Sequence, residues 1–525
     1  MEGASSIYIF VSVILVFLLA LKRLSRKTYH NLPPTPFPKL PILGHLHLIK
    51  LPLQRTLHQI SLKYGPIFAL QLGVRRVVVV SSPAAVEECF TKNDVVLADR
   101  PPSVAGNYLT YNYTLVTSAN YGDHWRNLRR ICSLEIFSTT RLNSFKSVRQ
   151  DEVKILLQKL VQTSRHGFGT VELKSKFTEL SFNIILRMTS GKRYFGLDED
   201  DKEAMAFREL IKDVFKRGGE VLDFLPFLRW IGYKNLEKNM KKLSERLDSF
   251  LQGLVDEHRH DKSRNSMIDH LLSLQESQPE YYTDEIIKGL MMVMLLAGTD
   301  TSAVTMEWAM AILLNHSEVL DKARAEIDNL VEVLDKARAE IDNLVGQERA
   351  IEEEDLPKLK YLQSIILETL RLFPAGPLLI PHYSSADCKI ALLIPHYSSA
   401  DCKIGGYDIP RGTMVLVNAW AIHRDPKVWE DSTSFRPERF DGGEVESTKV
   451  LTFGMGRRSC PGSGLAQRVV GLALGSLIQC FEWQRVGEEE VDLAEGEGVT
   501  APKAEPLVAR CKARDFAHKI LSQNA

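Results

Sequence analysis

A glycine-rich turn near the end of the chain limits the folds it can adopt. Residues 453–462 (FGMGRRSCPG) contain Cys460 and lead into the apolar segment from Leu465 to Phe481, which predicts a buried helix. Cys460 is then expected at or near the N-terminus of this helix, where free backbone N–H groups and the helix dipole stabilise a thiolate. A thiolate in this position is a good ligand for iron, so the chain is expected to fold around a cofactor.

The other residues of the turn suit such a cofactor. Gly456 and Gly462 let the backbone pass close to a flat ligand, and Pro461 suits the first helical position. Arg458 is placed to meet an anionic group such as a haem propionate. The alternative is a buried structural cysteine, the usual role of a lone cysteine beside a glycine turn. The spacing F-x-x-G-x-R-x-C-x-G favours the ligand, and it resembles the haem-binding signature of the cytochrome P-450 family.

Composition excludes some classes of protein. The chain has 525 residues, 25% charged and 44% hydrophobic, with a net charge of zero, which is typical of a folded globular protein and argues against a nucleic-acid partner. The seven cysteines are scattered, with no C-x-x-C pair. They are expected to be reduced thiols in a reducing compartment.

The N-terminal residues predict a membrane anchor. The residues from Ile7 to Leu21 are apolar apart from Ser12, and the basic residues that follow directly are Lys22, Arg23, Arg26 and Lys27. A cleavable signal peptide has the opposite order, with its basic residues first. Residues 1–27 are therefore expected to be a transmembrane signal-anchor that leaves the rest of the chain in the cytosol, with a cleaved signal as the alternative.

Two segments follow the anchor. Residues 28–44 carry five prolines, which exclude a helix and favour a stiff, extended hinge. The alternative is a proline-rich ligand for a small adaptor domain, but the position between anchor and body favours the hinge. Residues 45–525 form the globular body. Its first elements are predicted to be a strand pair from Ile67 to Val80 that turns near Gly73, and a helix that begins at Pro83.

The segment from Ile286 to Leu314 is the longest uninterrupted helix that the sequence predicts, and it is apolar enough to be buried. It contains residues 297–302 (AGTDTS). Gly298 weakens the helix by roughly 1 kcal/mol. The hydroxyl of Thr301 can bond back to the carbonyl four residues earlier, which opens the helix for water or O2. The alternative is a buried Asp300 that only caps or bends the helix.

Three charged patterns complete the candidate site. Trp125 and Arg129 lie four residues apart on one predicted helical face, although a solvated basic helix with a core tryptophan would look the same. Glu368 and Arg371 have the i,i+3 spacing of an ion pair, which carries little information by itself. The sequence FRPERF at 435–440 adds Arg439.

Two tandem repeats do not fit an ordinary domain. Residues 318–331 recur at 332–345 and residues 378–390 recur at 392–404, both with an offset of 14 residues. Two copies without divergence do not make a solenoid. The duplications, spanning 318–345 and 378–404, are either real insertions or a sequence artefact. The second one duplicates a histidine, as His382 and His396.

The motifs appear in the order of the cytochrome P-450 family over essentially the whole chain. The resemblance implies a mainly α fold with small β-sheets, a helical prism around a buried haem, plus an N-terminal transmembrane helix. Residues 191–196, 230–237 and 500–504 are similar to the plant group that contains isoflavone 2'- and 3'-hydroxylases. The implied enzyme is a monooxygenase of the endoplasmic reticulum membrane, single-pass with a cytosolic catalytic domain. It would hydroxylate a lipophilic aromatic, flavonoid-like substrate with haem b, O2 and electrons from NADPH-cytochrome P-450 reductase, in contact with membrane lipid.

The resemblance also implies the roles of individual residues. Asp300 and Thr301 are the catalytic acid and alcohol that deliver protons, and Cys460 is the metal ligand. The expected haem-binding residues are Trp125, Arg129, His382 (preferred to His396 for its spacing from Arg371), Arg458, Cys460 and Gly462. The expected substrate pocket consists of Thr117, Ser118, Met294, Ala297, Gly298, Ala375, Leu378 and Leu379. The expected structural ion pairs join Glu368 to Arg371 and Arg439.

Two other functions are compatible with the motifs. Some members of the family rearrange hydroperoxides without O2 or a reductase, and these usually lack an acid and alcohol pair such as Asp300 and Thr301. A membrane-bound haem or ligand carrier, disabled by the second duplication, is the non-enzymatic alternative.

Overall fold

The computed structural model describes residues 29–195, 202–216, 221–230, 234–261, 264–328, 349–378, 381–382, 392–393, 396–440, 449–496 and 500–522. The predicted membrane anchor, residues 1–27, lies outside the described residues. Most of the described chain is helical. The helices are α1 (Leu53–Tyr64), α2 (Pro83–Phe90), α3 (Val104–Leu109), α4 (Asp123–Ile131), α5 (Thr139–Ser144), α6 (Lys146–Thr163), α7 (Leu173–Ser190), α8 (Lys202–Lys216), α9 (Lys234–His260), α10 (Met267–Ser277), α11 (Asp284–Ala297), α12 (Asp300–Asn315), α13 (Lys360–Leu372), α14 (Ala419–Ile422), α15 (Ser463–Cys480) and α16 (Asp515–Ser522). Residues 317–328 are helical as well.

The helical core surrounds α12. Every residue from Ser302 to Leu314 is buried, and the helix packs against α7, α13 and α15. The ring of Trp308 stacks on that of Phe373 with their centroids 4.0 Å apart. The stretch Asp284–Asn315 is the one described helical stretch that is long and apolar enough to cross a membrane, but 67% of its most apolar window is buried inside the protein. The position of this stretch is therefore that of a core element.

Small sheets lie beside the helices. The strands are β1 (Ile67–Leu72), β2 (Arg75–Val80), β3 (Gly169–Glu172), β4 (Pro381–His382), β5 (Leu392–Leu393), β6 (His396–Tyr397), β7 (Cys402–Ile404), β8 (Tyr407–Ile409), β9 (Met414–Val417), β10 (Phe481–Gln484) and β11 (Val508–Ala513). The described strands form sheets with the orders β1-β2-β9-β6, β10-β11-β3, β4-β5 and β7-β8. Neighbours pair antiparallel except for β2 and β9, which run parallel. The expected mainly α fold with small sheets is confirmed.

The predicted strand pair and the helix after it are confirmed. β1 and β2 pair with Ile67 opposite Val80. Gly73 in the turn has a φ of +53°, and a Cβ there would lie 2.0 Å from the carbonyl oxygen of Phe224, so no larger residue fits. The helix α2 begins at Pro83.

The prediction of a single uninterrupted helix from Ile286 to Leu314 is wrong. The structure contains two helices, α11 and α12, separated at Gly298 and Thr299. The longest described helix is α9, with 27 residues. The hydroxyls of Thr299 and Thr301 each donate to the carbonyl four residues earlier, at 2.8 Å. In a continuous helix the carbonyls of Leu295 and Ala297 would accept only backbone N–H groups, but here they accept the threonine hydroxyls. Gly298 adds conformational freedom, so the helix breaks here.

The copies of the second repeat differ in what the structure describes of them. The later copy, residues 392–404, supplies β6 and β7, and His396 lies opposite Val415 of β9. Of the earlier copy, only residues 378 and 381–382 belong to the described chain, the last two as β4. Of the first repeat, residues 318–328 are helical and the remainder lies outside the described residues.

A buried ion pair is linked through hydrogen bonds to the turn that contains Cys460 (residues 453–462). Arg371 Nε donates to Glu368 Oε2 at 2.6 Å, and Arg439 Nε donates to Glu368 Oε1 at 3.1 Å. Neither Glu368 nor Arg371 has an exposed side-chain surface. The guanidinium of Arg371 also donates to the backbone oxygens of His423, Ser432 and Ser434. Two charges are thus buried together with their hydrogen-bonding capacity largely used.

This ion pair connects to the Cys460 turn through hydrogen bonds. Arg371 holds the carbonyl of His423 at 2.5 Å, and the ring Nε2 of His423 accepts the N–H of Leu451 at 3.0 Å. Burial, with Arg371 next, lowers the pKa of His423 to about 3, so its ring is neutral and can accept. Leu451 in turn accepts the N–H of Gly454 at 2.9 Å. We call this series of hydrogen bonds, from Glu368 to Gly454, the ion-pair network.

We expect Glu368→Ala to lower the free energy of unfolding by roughly 3–5 kcal/mol, because it leaves the Arg371 guanidinium buried without a carboxylate. The matched control is Glu245→Ala, which removes a glutamate from an ion pair with Lys241 in which both side chains are more than half exposed. Its expected loss is about 0–1 kcal/mol. Chemical denaturation followed by circular dichroism measures both values. Equal, small losses would contradict a structural role for the buried pair.

Candidate active site

A cavity of about 430 Å³ lies between the Cys460 turn, α11, α12 and the segment before α4. Its wall is mostly apolar, with a few polar and charged side chains. It brings together residues far apart in the sequence. The sequence-predicted residues in the wall are Thr117, Ser118, Trp125, Arg129, Met294, Ala297, Gly298, Asp300, Thr301, Ala375, Arg458, Cys460 and Gly462.

One described residue that was predicted for the pocket, Leu378, is not part of this wall. Leu378 is only 3% exposed, but it packs in the apolar cluster that contains Phe68 and Leu416 of the β1-β2-β9 sheet. The expectation that Leu378 lines the pocket is therefore corrected, because its side chain packs against the sheet. Leu379 lies outside the described residues.

The backbone of the turn presents the sulfur of Cys460 to the cavity. The N–H of Cys460 donates to the carbonyl of Phe453 at 2.8 Å. Gly454 and Gly456 have φ angles of +69° and +70°, which glycine adopts readily. The helix α15 begins at Ser463 with Gly462 as its N-cap, so Pro461 precedes the helix and does not occupy its first position as expected.

The charge state of Cys460 depends on what binds it. Burial raises the pKa of this thiol, while the N–H of Gly462 and the charge of Arg129 act in the opposite direction. Burial outweighs both, so a thiolate here requires a further positive partner. Among the described residues there is no group of three or more His, Cys, Asp or Glu side chains that could hold a metal ion. Haem iron needs only an axial ligand from the protein, and a single cysteine thiolate provides it.

Positive charge is concentrated beside the sulfur. Arg100 and Arg129 lie close enough to Arg458 to lower its pKa, which burial first and then Arg100 bring to about 8. The guanidinium of Arg458 donates to the carbonyls of Ala98 and Val116, and its carbon lies 4.5 Å from the ring centroid of Trp125. Arginines crowded together in a buried wall favour an anionic ligand, and the carboxylates of haem meet that need.

Trp125 and Arg129 reach this wall from one helix. Both belong to α4, and Trp125 is 4% exposed while its indole N–H donates to the carbonyl of Val116 at 3.1 Å. Arg129 donates to the hydroxyl of Ser459 at 3.3 Å, next to the cysteine. The four-residue spacing does place them on the same side, as expected.

His396 lies in the same wall. Its ring is 7% exposed, packs against Phe90 with centroids 4.7 Å apart, and bonds through Nδ1 to the carbonyl of Leu97 at 2.8 Å. Burial and then the charge of Arg100 lower the pKa of His396 to about 3. The side chain of His382, the histidine preferred from the sequence, lies outside the described part of the chain.

The interrupted helix supplies the acid and the alcohol. Asp300 and Thr301 follow the break, and both line the cavity. The hydroxyl of Thr301 donates to the carbonyl of Ala297, the bond that the sequence predicts. Burial raises the pKa of Asp300, opposed by a hydrogen bond from Thr500 and by the charge of Lys174. The carboxyl of Asp300 therefore holds a proton more readily than an exposed aspartate does.

Comparison with known proteins identifies the family. The model of the family described as Cytochrome P-450 matches residues 33–333, 331–391 and 390–508, which covers most of the chain. The chain belongs to the cytochrome P-450 family. The matched segments of this P-450 break at residues 331–333 and 390–391, within or beside the two duplications.

Curated plant relatives match this P-450 along its whole length. Cytochrome P-450 81Q32 of Catharanthus roseus is 57% identical over 528 residues and covers 100% of both chains. An isoflavone 2'-hydroxylase of Glycyrrhiza echinata is 49% identical over 95% of each chain. A zebrafish cytochrome P-450 solved with progesterone has a TM-score of 0.70 at 25% identity and covers 88% of this chain and 100% of its own. The protein is a cytochrome P-450 monooxygenase that binds haem b through a cysteine thiolate.

Sequence reasoning missed many residues of the cavity wall, and two of them are polar residues next to its charged groups. Arg100 lies in the cavity wall, and Thr500 bonds to Asp300 from the far end of the chain. Neither belongs to a local pattern that marks it as functional. The sequence 500–504 pointed only to a resemblance, because a contact between residues 200 positions apart cannot be read from spacing.

We expect Cys460→Ser to abolish haem retention, or at least the shifted absorption of the reduced protein with carbon monoxide, because a hydroxyl does not replace the thiolate ligand. The matched control is Cys402→Ser, a partly buried free cysteine in β7 outside the cavity wall. This control is expected to keep both signals. Haem content and the reduced carbon-monoxide spectrum of the purified proteins measure the difference. A Cys460→Ser protein with an unchanged spectrum would rule out the assigned ligand.

Proposed function

We propose that this P-450 hydroxylates a lipophilic aromatic plant metabolite of the isoflavonoid or flavonoid type, using O2 and NADPH electrons delivered by NADPH-cytochrome P-450 reductase. The observation that carries the proposal is the shared cavity. A mostly apolar wall suited to an aromatic molecule includes a cysteine ligand, an acid and an alcohol. The proposed haem-thiolate monooxygenation uses these four features together.

The relatives support the substrate class. Two are named isoflavone 2'-hydroxylase, from Glycyrrhiza echinata and Medicago truncatula, and one is an isoflavone 3'-hydroxylase from Medicago truncatula. Another is (+)-piperitol/(+)-sesamin synthase of Sesamum radiatum, at 52% identity. Three of these names specify an isoflavone, so an isoflavonoid is the first class to test and a lignan the second.

Each part of the site has a distinct task in this proposal. Haem, when bound, supplies the redox chemistry that activates O2. Cys460 would hold the iron, while Arg129 and Arg458 would bind the anionic edge of the cofactor and the ring of Trp125 would support the Arg458 guanidinium. Asp300 holds a proton at its carboxyl and passes it to the Thr301 hydroxyl, which faces the same cavity. The apolar wall, with Met294 and Ala297, excludes bulk water from these groups.

The chain is proposed to consist of a membrane anchor (1–27), a proline-rich hinge (28–44) and a catalytic domain (45–525), held at the endoplasmic reticulum with the catalytic domain in the cytosol. The hinge packs on the body: the carbonyl of Asn31 accepts the N–H of Asp408 at 2.7 Å, and that of Pro34 accepts the N–H of Ala69 at 2.8 Å. Phe37 is 87% exposed and Trp230 is 86% exposed. Exposed aromatic side chains suit a surface that rests on lipid.

The function is tested with microsomes from cells that express the full chain and reductase, supplied with isoflavones, flavones and lignans. We expect hydroxylated product to require NADPH and O2. Asp300→Asn and Thr301→Val are each expected to lower product formation by roughly 10²-fold and to increase H2O2 release, since both remove a proton donor. Thr301→Ser keeps the hydroxyl and serves as the matched control.

Other outcomes of this experiment select other functions. Rearrangement of added hydroperoxides without O2 or NADPH would identify a hydroperoxide-rearranging enzyme. Binding of aromatic ligands without product, although reductase reduces the haem, would identify a carrier. Activity confined to the soluble fraction would contradict the proposed membrane location.

The histidine proposed to assist Arg458 is His396, in place of the sequence preference for His382. His396 is buried in the cavity wall near Arg100 and Arg458, whose charges lower its pKa. An anionic group there would oppose the field of the arginines and favour the ring protonated on both nitrogens, which can donate to the anion while keeping its bond to Leu97.

We expect His396→Ala to weaken haem retention by roughly tenfold, which corresponds to the loss of one hydrogen bond to a charged group. The matched control is His382→Ala, which changes the same residue in the other copy of the repeat. Competition for haem with an excess of apomyoglobin measures retention without any need for turnover. A larger loss in His382→Ala than in His396→Ala would return the role to the first copy.

A further inference from the structure

The segment of residues 500–507, named here the C-terminal strap, is attached along one face of α12. The hydroxyl of Thr500 donates to Asp300 Oδ2 at 2.5 Å, and the indole N–H of Trp308 donates to the carbonyl of Ala501 at 2.7 Å. The N–H of Leu507 donates to Glu307 Oε1 at 2.9 Å. Glu307 and Trp308 follow Asp300 by seven and eight positions, about two helical turns, so the three side chains lie on the same side of α12. The strap is therefore fixed near both of its ends to the helix that carries the catalytic acid.

Thr500 is the hydrogen-bond partner that defines the position of Asp300. Within the described part of the chain, no other donor reaches the Asp300 carboxyl and no cation forms an ion pair with it. Thr500 is itself 6% exposed and lies in the cavity wall, as Asp300 does. One hydroxyl thus connects the acid to a segment that a substrate can touch.

The charges around this bond are few. Lys174 at the start of α7 lowers the pKa of Asp300 through its field, without contact. Glu307, two turns further along α12, and Lys503 of the strap also influence each other's ionisation. Burial has the largest effect and raises the pKa of Asp300. Of the effects that lower this pKa and so favour the ionised carboxyl, the Thr500 hydrogen bond is the strongest.

We propose that Thr500 is a positioning residue of this enzyme: its hydroxyl orients the Asp300 carboxyl and couples the fit of the substrate against the strap to proton delivery. The inference rests on the proposed function of Asp300 as a proton donor. A substrate that displaces the strap would stretch the bond between Thr500 and Asp300. The same cavity could then bind two aromatic molecules equally well and still hydroxylate them with different efficiency.

The stoichiometry makes this coupling measurable. Productive turnover converts one O2, one C–H bond, two electrons and two protons into one alcohol and one water. When the protons are delivered to the wrong place, the same O2, electrons and protons leave as H2O2. The number of electrons per O2 is identical, so the ratio of H2O2 to product reports where the protons go.

The test compares Thr500→Val, which keeps the shape and removes the hydroxyl, with Thr500→Ser, which keeps the hydroxyl. Thr189→Val is a second control, because the buried hydroxyl of Thr189 bonds only within α7, at 2.8 Å from the carbonyl of Ile185. Each protein is first checked for haem content and for the reduced carbon-monoxide spectrum. The infrared carbonyl band of protonated Asp300, which is assigned by its absence in Asp300→Asn, is then followed as the pH is changed. H2O2 and product are measured separately with one isoflavone.

We expect Thr500→Val to raise the pKa of Asp300 by about one unit, as the loss of one hydrogen bond to a charged group implies. The pH profile of product formation should move to higher pH by the same amount, and the ratio of H2O2 to product should rise severalfold. Thr500→Ser and Thr189→Val should match the wild type in all three measurements.

Three results would overturn the inference. The first is a Thr500→Val protein with an unchanged carbonyl titration and H2O2 ratio. The second is weaker substrate affinity in Thr500→Val with no change in the titration, which would make Thr500 a part of the pocket wall only. The third is Asp300→Asn with unchanged product and H2O2, which defeats the proposed function of Asp300 itself and is recognised because it does not involve Thr500.

Discussion

The carboxylate of Glu368, enclosed without exposed surface between Arg371 and Arg439, is the interaction on which the site depends. Two buried charges are stable together only when each is fully satisfied, and here the spare donors of Arg371 bind three backbone carbonyls of the loops before the Cys460 turn. Through His423 and Leu451 the same network reaches the backbone of that turn. The position of a sulfur ligand is thus determined by an ion pair that never meets the substrate.

The cavity combines opposite electrostatic environments. Arg100, Arg129 and Arg458 make one part positive, which suits an anionic cofactor edge. Asp300 lies in another part of the wall, where burial favours its protonated form. The break between α11 and α12 lets a charged side chain and a hydroxyl occupy a helix that is otherwise apolar. An uninterrupted apolar helix would have packed equally well but would have presented no proton donors.

Much of this could be predicted from the sequence, because it rests on local patterns. The β1–β2 turn at Gly73 and the helix starting at Pro83 follow from single residues with strong backbone preferences. The positions of Cys460, Trp125 and Asp300 in one wall followed only from a resemblance, since nothing local brings them together. The break in the long helix was underestimated because several hydroxyls and one glycine act jointly.

The remaining differences have a common origin in tertiary packing. Leu378 packs with a sheet whose strands are more than 300 residues apart in the sequence, β1 and β2 on one side and β6 and β9 on the other, so its apolar character alone could not assign it to the pocket or to the sheet. The bond from Thr500 to Asp300 spans 200 positions and leaves no periodic trace. The duplicated segments are identical in sequence, so local propensity cannot distinguish His382 from His396. The pairings of β6 with β9 and of β7 with β8 place the later copy in the described fold.

His423 makes the core sensitive to acid. Its pKa is about 3 in the folded protein against an ordinary value of 6.5, so the folded state resists a proton that the unfolded chain accepts. The free energy of unfolding therefore falls as the pH drops from about 6.5 towards 3, and it regains this contribution above neutrality. Protonation would also remove the acceptor that holds Leu451 and so loosen the link between Glu368 and the sulfur. The hydrogen-bonded path from Glu368 to the Cys460 turn is therefore complete only while the His423 ring stays neutral.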